Sequence, residues 1–287
     1  MKTIVLEDKM PSNYVHWLSG DVHVGSSAVS KQSISNLISK VKSVKNGYVS
    51  FGGDQLESIV VDDKRFNLED HPGHAARIDA QRDMFIGTFN IIADKFLWIM
   101  DGNHERRWKN VFAPNKDIAK EFNCEYSSGI VKAIFSKFRI MDWHGNGSVN
   151  SKAGDALQRS TNEMIAVKRK LRVLPADDCE VVCMHHIHKL VIHPPMKILH
   201  LVTDSASSKL IQSYTQSSRI YIDEDRNLYR IPEEEKWYVS SGSFLRGYLE
   251  DVTTYIEEAG YAAAELGCIK VTVKNDKLYK VEKEYLR

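Results

Sequence analysis

The sequence predicts a layered α/β fold, and three features carry that prediction. Apolar, strand-like runs alternate with amphipathic helical stretches through residue 104. Short polar clusters follow those runs in order: Asp21-Val22-His23, Gly53-Asp54, Gly102-Asn103-His104-Glu105, His144-Gly145 and His186-Ile187-His188. From Lys197 to Leu286 the pattern changes to short strands, which adds a β-rich layer.

Tyr14 to Leu18 reads as the first strand. Val29 to Val44 follows as a helix, because Ile34, Leu37, Ile38 and Val41 recur at helical spacing. Tyr48 to Phe51 is the next strand, and the polar insertion from Ser58 to Gly73 is longer than a plain connection needs, the kind of loop that is functional or disordered. His74 to Lys95 is expected to be one long helix with Ile78, Met84, Phe85, Phe89 and Ile92 on its apolar side, feeding the strand Phe96 to Met100. After two short helical stretches, Ile130 to Trp143 resembles a β-hairpin. Ala153 to Leu171 is a helix ending in Lys168, Arg169, Lys170 and Arg172, a run that complements the helix dipole or tracks a nucleic-acid backbone. Glu180 to Met184 is a short strand, and Asp204 to Arg219, rich in Ser, Thr and Gln, reads as a mobile loop.

Composition sets outer limits. A chain of 287 residues with 43% hydrophobic and 27% charged residues can bury a core, which excludes global disorder. A net charge of +1 excludes a generally basic nucleic-acid coat but not a local patch. No repeat or linker composition forces a boundary, so one domain over 1–287 is expected, with 197–287 as its β-rich part. Cys124, Cys179, Cys183 and Cys268 lack paired metal spacing and are expected to be buried, unpaired thiols. No apolar stretch approaches the roughly 20 residues that span a bilayer, and no signal peptide is recognisable. The expectation is a cytoplasmic protein without a membrane partner.

Four of the five clusters begin where an apolar run stops, and the third follows one after Asp101-Gly102. Strand ends at the carboxyl edge of a sheet are where open α/β folds place their active sites. Oxygen and imidazole groups collected there read as a two-metal hydrolytic centre. In order, the clusters resemble the signature of the calcineurin-like metallophosphoesterases: Asp-x-His, Gly-Asp-x-x-acid, Gly-Asn-His-acid, a strand-end His, then His-x-His. The match spans residues 14 to 188, and the segment 237–274 is similar to the C-terminal part of compact phage and bacterial members. The resemblance implies a layered β-sandwich flanked by helices, related to the DNA-repair exonuclease and phosphodiesterase branch.

Hydrolysing a phosphate ester at neutral pH needs a strong nucleophile and neutralisation of charge on the phosphoryl oxygens. Two divalent ions holding a shared hydroxide supply both, and such a pair needs a bridging carboxylate. Asp54 is the candidate bridge, after two glycines that let the backbone turn sharply. Asp21 and His23, alternating at the end of an extended segment, can both face one ion. By resemblance Asp21, His23 and His188 hold the first metal, and Asn103, His144 and His186 the second. His104 then acts on the leaving oxygen, and Glu57 orients it, although the family has Asp at that position.

The glycine that normally precedes His-x-His is His185 here, expected to pack or hydrogen-bond on the opposite parity, with a register that makes it a ligand left open. Arg106 and Arg107 are candidate substrate-phosphate donors or a solvated helix start. The all nitrogen and oxygen donor set fits manganese, iron, zinc or nickel without separating them, and manganese is the expected ion. The implied activity is that of a phosphodiesterase acting on a nucleic acid or nucleotide. A phosphomonoesterase or phosphoprotein phosphatase is the alternative, and a non-catalytic binding module ranks third. Substrate choice has no readable motif.

Overall fold

The computed structural model describes residues 1–59, 63, 65–70, 73, 77–108, 110–214 and 219–287. The first half runs β1 (Lys2–Val5), β2 (Tyr14–Ser19), α1 (Lys31–Ser43), β3 (Gly47–Phe51), α2 (Ile78–Phe89), β4 (Phe96–Met100), α3 (Asn103–Arg106), α4 (Pro114–Glu121), β5 (Glu125–Ser127), β6 (Val131–Ile134) and β7 (Arg139–Trp143). The second half runs α5 (Ala156–Leu171), β8 (Val181–Met184), β9 (Val191–His193), β10 (Leu199–Thr203), β11 (Leu210–Tyr214), β12 (Ile220–Asp223), β13 (Leu228–Arg230), β14 (Trp237–Ser240), α6 (Tyr255–Glu258), β15 (Gly267–Lys274) and β16 (Lys277–Tyr285). The protein is a mixed α/β structure with two six-stranded sheets.

One sheet has the order β16-β15-β2-β3-β4-β5, in which β2 through β5 are parallel and β15 lies antiparallel to β2. The other has the order β1-β6-β7-β8-β14-β9, in which β7, β8 and β14 are parallel. Tyr14, Leu18, Trp98 and Val271 of the first sheet share one buried cluster with Val131, Ile140, Val181 and Val239 of the second. Each such side chain contributes about 1.5–3 kcal/mol by leaving water.

Helices cover other sheet faces. Ser30 caps α1 by accepting the Ser33 N–H, and Ile34, Leu37 and Val41 pack with Val49, Phe51, Phe85, Phe89 and Phe96. Asp155 caps α5, whose Val167 and Leu171 pack on Met141, Val182 and Tyr238. Its last turn holds Lys168, Arg169 and Lys170, which suits the negative end of the helix dipole, and Lys170 Nζ also donates to the Asn146 carbonyl at 3.0 Å.

Several boundaries differ from expectation. The helix expected over His74 to Lys95 divides into α2 and a 3-10 segment, Asn90–Lys95, which is itself kinked where Ile92 leaves helical geometry; residues 74–76 lie outside the described ones. Met84 is exposed and does not belong to the apolar face. The segment expected as a mobile loop from Asp204 contains β11, which pairs with β10 in an antiparallel ribbon, while 215–218 lie outside the described residues. The short insertion residues 60–62, 64, 71 and 72 also lie outside them. Cys179, Cys183 and Cys268 are buried, Cys124 is half-buried, and all four are free thiols. Among the described residues no helix is long and apolar enough to cross a membrane.

Candidate metal centre

The loops after β2, β3 and β4 leave the first sheet at its carboxyl edge, and those after β7 and β8 leave the second at its own. Main-chain bonds tie the first two loops together, since Asp21 N donates to Gly53 O at 2.9 Å and His23 N to Asp54 O at 3.0 Å. Gly53 has φ 112°, and a Cβ there would meet His144 Nδ1 at 2.4 Å and Gly102 Cα at 2.6 Å, so only glycine lets three loops approach this closely.

Glu105 locks the neighbouring turn. Its carboxylate accepts the N–H groups of Gly102 at 2.8 Å, Asp54 at 3.1 Å and Leu56 at 3.0 Å. Burial, followed by repulsion from Asp54, raises its pKa to about 7.

Three groups of donors result here among the described residues, each with ligand atoms within 4.8 Å of one another: Asp21 with His23 and His188, Asp54 with His144 and His186, and a third that shares His23 and adds Glu57 and His104. In the first, His188 Nε2 lies 3.4 Å from Asp21 Oδ1, and His23 Nε2 lies 4.0 Å from the same oxygen. The other Asp21 oxygen accepts the His186 N–H at 2.9 Å. Asp21 Oδ1 and His23 Nε2 are buried and have no hydrogen-bond partner, although burial without one is costly. In the second group, His144 Nε2 lies 3.2 Å from Asp54 Oδ2 and 3.0 Å from Asn103 Oδ1. His144 Nδ1 donates to the Gly52 carbonyl at 2.9 Å, which leaves Nε2 as the nitrogen that faces the carboxylate.

The backbone is unusual at these residues. Asp21, His23, Asp54, His186 and His188 have φ of 52°, 56°, 53°, 71° and 53°, the left-handed region that costs an L-residue roughly 1–2 kcal/mol. Asp21 and His23 therefore reach the same place through two left-handed turns beyond the strand, not through the extended alternation expected from their spacing.

Electrostatics couples the groups. Burial opposes charge on His23, but Glu57, Asp54 and Asp21 outweigh it and raise its pKa to about 9. Burial likewise opposes charge on His144, and Asp54 above all raises it to about 9. Burial disfavours the Asp21 carboxylate, yet His188 and His144 hold its pKa at about 2. His186, buried and repelled by His144, falls to about 4.

Glu57 stands in a different relation to His104 than expected. Its Oε2 accepts from His23 Nδ1 at 2.7 Å, while His104 Nδ1 meets the Glu57 main-chain carbonyl. The left-handed turn at Ser58 and the Glu57 N–H bond to Val24 O at 3.0 Å set that main chain beside the loop of His23. His104 N donates to Asp54 Oδ1 at 2.9 Å, and the His104 ring packs edge-on against His23 at 4.7 Å between centroids. Burial lowers the His104 pKa against the pull of Asp54 and Glu57.

A cavity of about 840 Å³ opens over this cluster, lined by His23, Asp54, Asn103, His104, His186 and His188 at its base. Arg106 and Arg107 are not among its described lining residues. Arg106 donates to the carbonyls of Asp101 at 3.0 Å and Ser128 at 3.3 Å, and Arg107 pairs with Asp63 at 2.5 Å. Among the described residues the lining Lys and Arg side chains are Arg65 and Lys189. Adjacency to His188 marks Lys189 in the sequence; Arg65 carries no such signal, because only the fold of the insertion brings it to the rim.

Beneath the cluster lies a buried polar chain that the sequence does not reveal. His185 Nε2 lies 2.8 Å from Asp142 Oδ1, and His185 Nδ1 lies 2.6 Å from Ser241 Oγ. Trp98 Nε1 donates to the other Asp142 oxygen at 2.8 Å. The ring fills the space left by Gly52 and Gly20, where a Cβ would meet it at 1.9 and 2.7 Å. Asp142, Cys183 and His185 also form a compact group, but this carboxylate and ring bind each other and their neighbours.

No protein-family model matches the chain, and no curated protein does. Among solved structures it is similar to YfcE, a phosphoesterase from E. coli, at 10% identity and a TM-score of 0.39, over 93% of this chain and 98% of that one. It is also similar to AQ665, a protein of unknown function from Aquifex aeolicus, at 16% identity and a TM-score of 0.32, over 62% of this chain and 81% of that one.

Proposed function

We propose that this protein is a metal-dependent phosphodiesterase of the calcineurin-like type, a single layered β-sandwich unit whose substrate is a nucleic acid or nucleotide. The observation that carries the reading is the convergence of two donor groups, Asp21-His23-His188 and Asp54-His144-His186, in which Asp21 Oδ1 and His23 Nε2 are buried without a hydrogen-bond partner. Such donors fit a divalent cation. They are all nitrogen or oxygen, and two of the histidines hold their second nitrogen against Glu57 or Gly52 O, as ligating imidazoles do. The set suits manganese, with iron, zinc or nickel compatible.

Two bound cations would supply an activated water and neutralise charge on the phosphoryl oxygens. Asp21, His23 and His188 would hold one and Asn103, His144 and His186 the other, with Asp54 shared. The chain's own part lies in orientation and proton transfer. Glu57 fixes the His23 ring, and Glu105 fixes the turn that presents Asn103 and His104. His104 keeps Nδ1 against the Glu57 carbonyl, so its Nε2 is the atom free to act in the cavity. A proton taken up at Nε2 is passed to the leaving oxygen as the phosphorus–oxygen bond breaks.

A manganese-supplemented panel tests this. The expected result is hydrolysis of bis-p-nitrophenyl phosphate and of a nucleotide diester in preference to p-nitrophenyl phosphate. Preference for the monoester would overturn the diesterase assignment.

A further inference from the structure

The cavity is larger than a phosphoryl group requires. Its volume of about 840 Å³ falls in the range that encloses a whole small ligand. Beside the donor base, one wall is built from Ile256, Ala259, Tyr261, Ala262 and Ala263, which apart from the Tyr261 hydroxyl offer no polar side chain to a phosphate. Tyr261 is 60% exposed, yet its backbone is fixed: its N–H donates to Ile256 O at 3.0 Å, and its carbonyl accepts the Tyr248 hydroxyl at 2.6 Å. An aromatic ring on a pinned main chain, open to a cavity, is a stacking platform that loses little freedom on binding.

Charge narrows the occupant. Among the described residues the two lining Lys and Arg side chains are already paired, Arg65 with Asp63 at 2.9 Å and Lys189 with Glu163 at 2.6 Å, and Glu258 adds an acidic group to the same wall. A run of further phosphates would find little free positive charge there, whereas a neutral planar ring finds an apolar face. Resting on the diesterase reading above, we propose that this wall is a subsite for the base of a nucleoside ester, and that Tyr261 determines specificity by stacking on it. The substrate class is then a single nucleoside phosphodiester or a strand end, not the interior of a long polyanion.

The test uses the full chain with manganese and two diesters that share a leaving group: thymidine 5′-(p-nitrophenyl phosphate) and methyl p-nitrophenyl phosphate. Wild type is expected to favour the thymidine ester. Tyr261→Ala should lower kcat/KM for that ester roughly 5- to 100-fold, the loss of one base–aromatic stack, chiefly through KM. The methyl ester and the metal content should be unchanged, and Tyr261→Phe should restore the preference. Equal losses on both esters, or no loss on either, would overturn the subsite. If wild type cleaves both esters with equal efficiency, the subsite falls and the diesterase reading stands; if it cleaves neither, both fall together.

Discussion

On the proposed mechanism, His104 would separate chemistry from metal holding within one motif. Its ring is oriented by a main-chain carbonyl, and its backbone N–H by Asp54, so removing the side chain leaves both donor groups in place. His104→Ala is expected to keep the metal content and to lower turnover roughly 100- to 10,000-fold, less on esters with very good leaving groups. Elemental analysis with steady-state kinetics checks this; loss of an ion would make His104 a ligand instead. Glu57→Gln should behave differently, because the carboxylate serves His23: metal affinity should fall about 10- to 100-fold, the usual effect of losing a partner of a ligating imidazole. A defect confined to turnover, with metal affinity intact, would restore the role expected from the sequence.

The same residues set the pH dependence. Glu57 and Asp54 outweigh burial and raise His23 and His144 to about 9, so below that value a proton occupies nitrogen that a cation needs. Manganese affinity should therefore fall as pH falls from 9 to 6, measured by calorimetry; a flat profile would contradict the pairing. The metal-free stability has the opposite sign. Raised histidines contribute fully below their ordinary value of 6.5 and lose that contribution as pH rises through about 9. Asp21 contributes above 3.8 and loses it as pH falls through about 2.

Among elements, the strands that end in the polar donor clusters were legible because an apolar run followed by Gly, Asp or His marks both the strand and its stop. β2, β3, β4, β7 and β8 all lie where the pattern puts them. β5 and β1 were not: each is short, and each is stabilised by a neighbour distant in sequence, β1 by β6 and β5 by β4. His185 shows the same limit. Its parity placed it away from the donors, but not in a chain with Asp142, Ser241 and Trp98, because those partners come from three other strands or strand ends. His185→Ala should destabilise the protein on the order of 3 kcal/mol in urea unfolding, by leaving the Asp142 oxygen buried without its partner. A change under about 0.5 kcal/mol would mean that the ring only fills space.

At the scale of the whole molecule, two sheets share one core and present the carboxyl ends of β2, β3, β4, β7 and β8 to a common cavity. The order of the motifs made that convergence readable. The left-handed turns at five donor residues were not, since no local pattern distinguishes them from extended strand ends. Nor were Tyr261 and Arg65, which reach the cavity only through the C-terminal segment and the insertion. The most direct measurement is manganese titration of chelator-stripped protein by calorimetry, with diester hydrolysis followed on the same samples. Two ions per chain, activity that returns with them, and loss of both sites in Asp54→Ala are the expected results. Full hydrolysis by the stripped protein, or wild-type stoichiometry in Asp54→Ala, would contradict a two-cation centre built on Asp54.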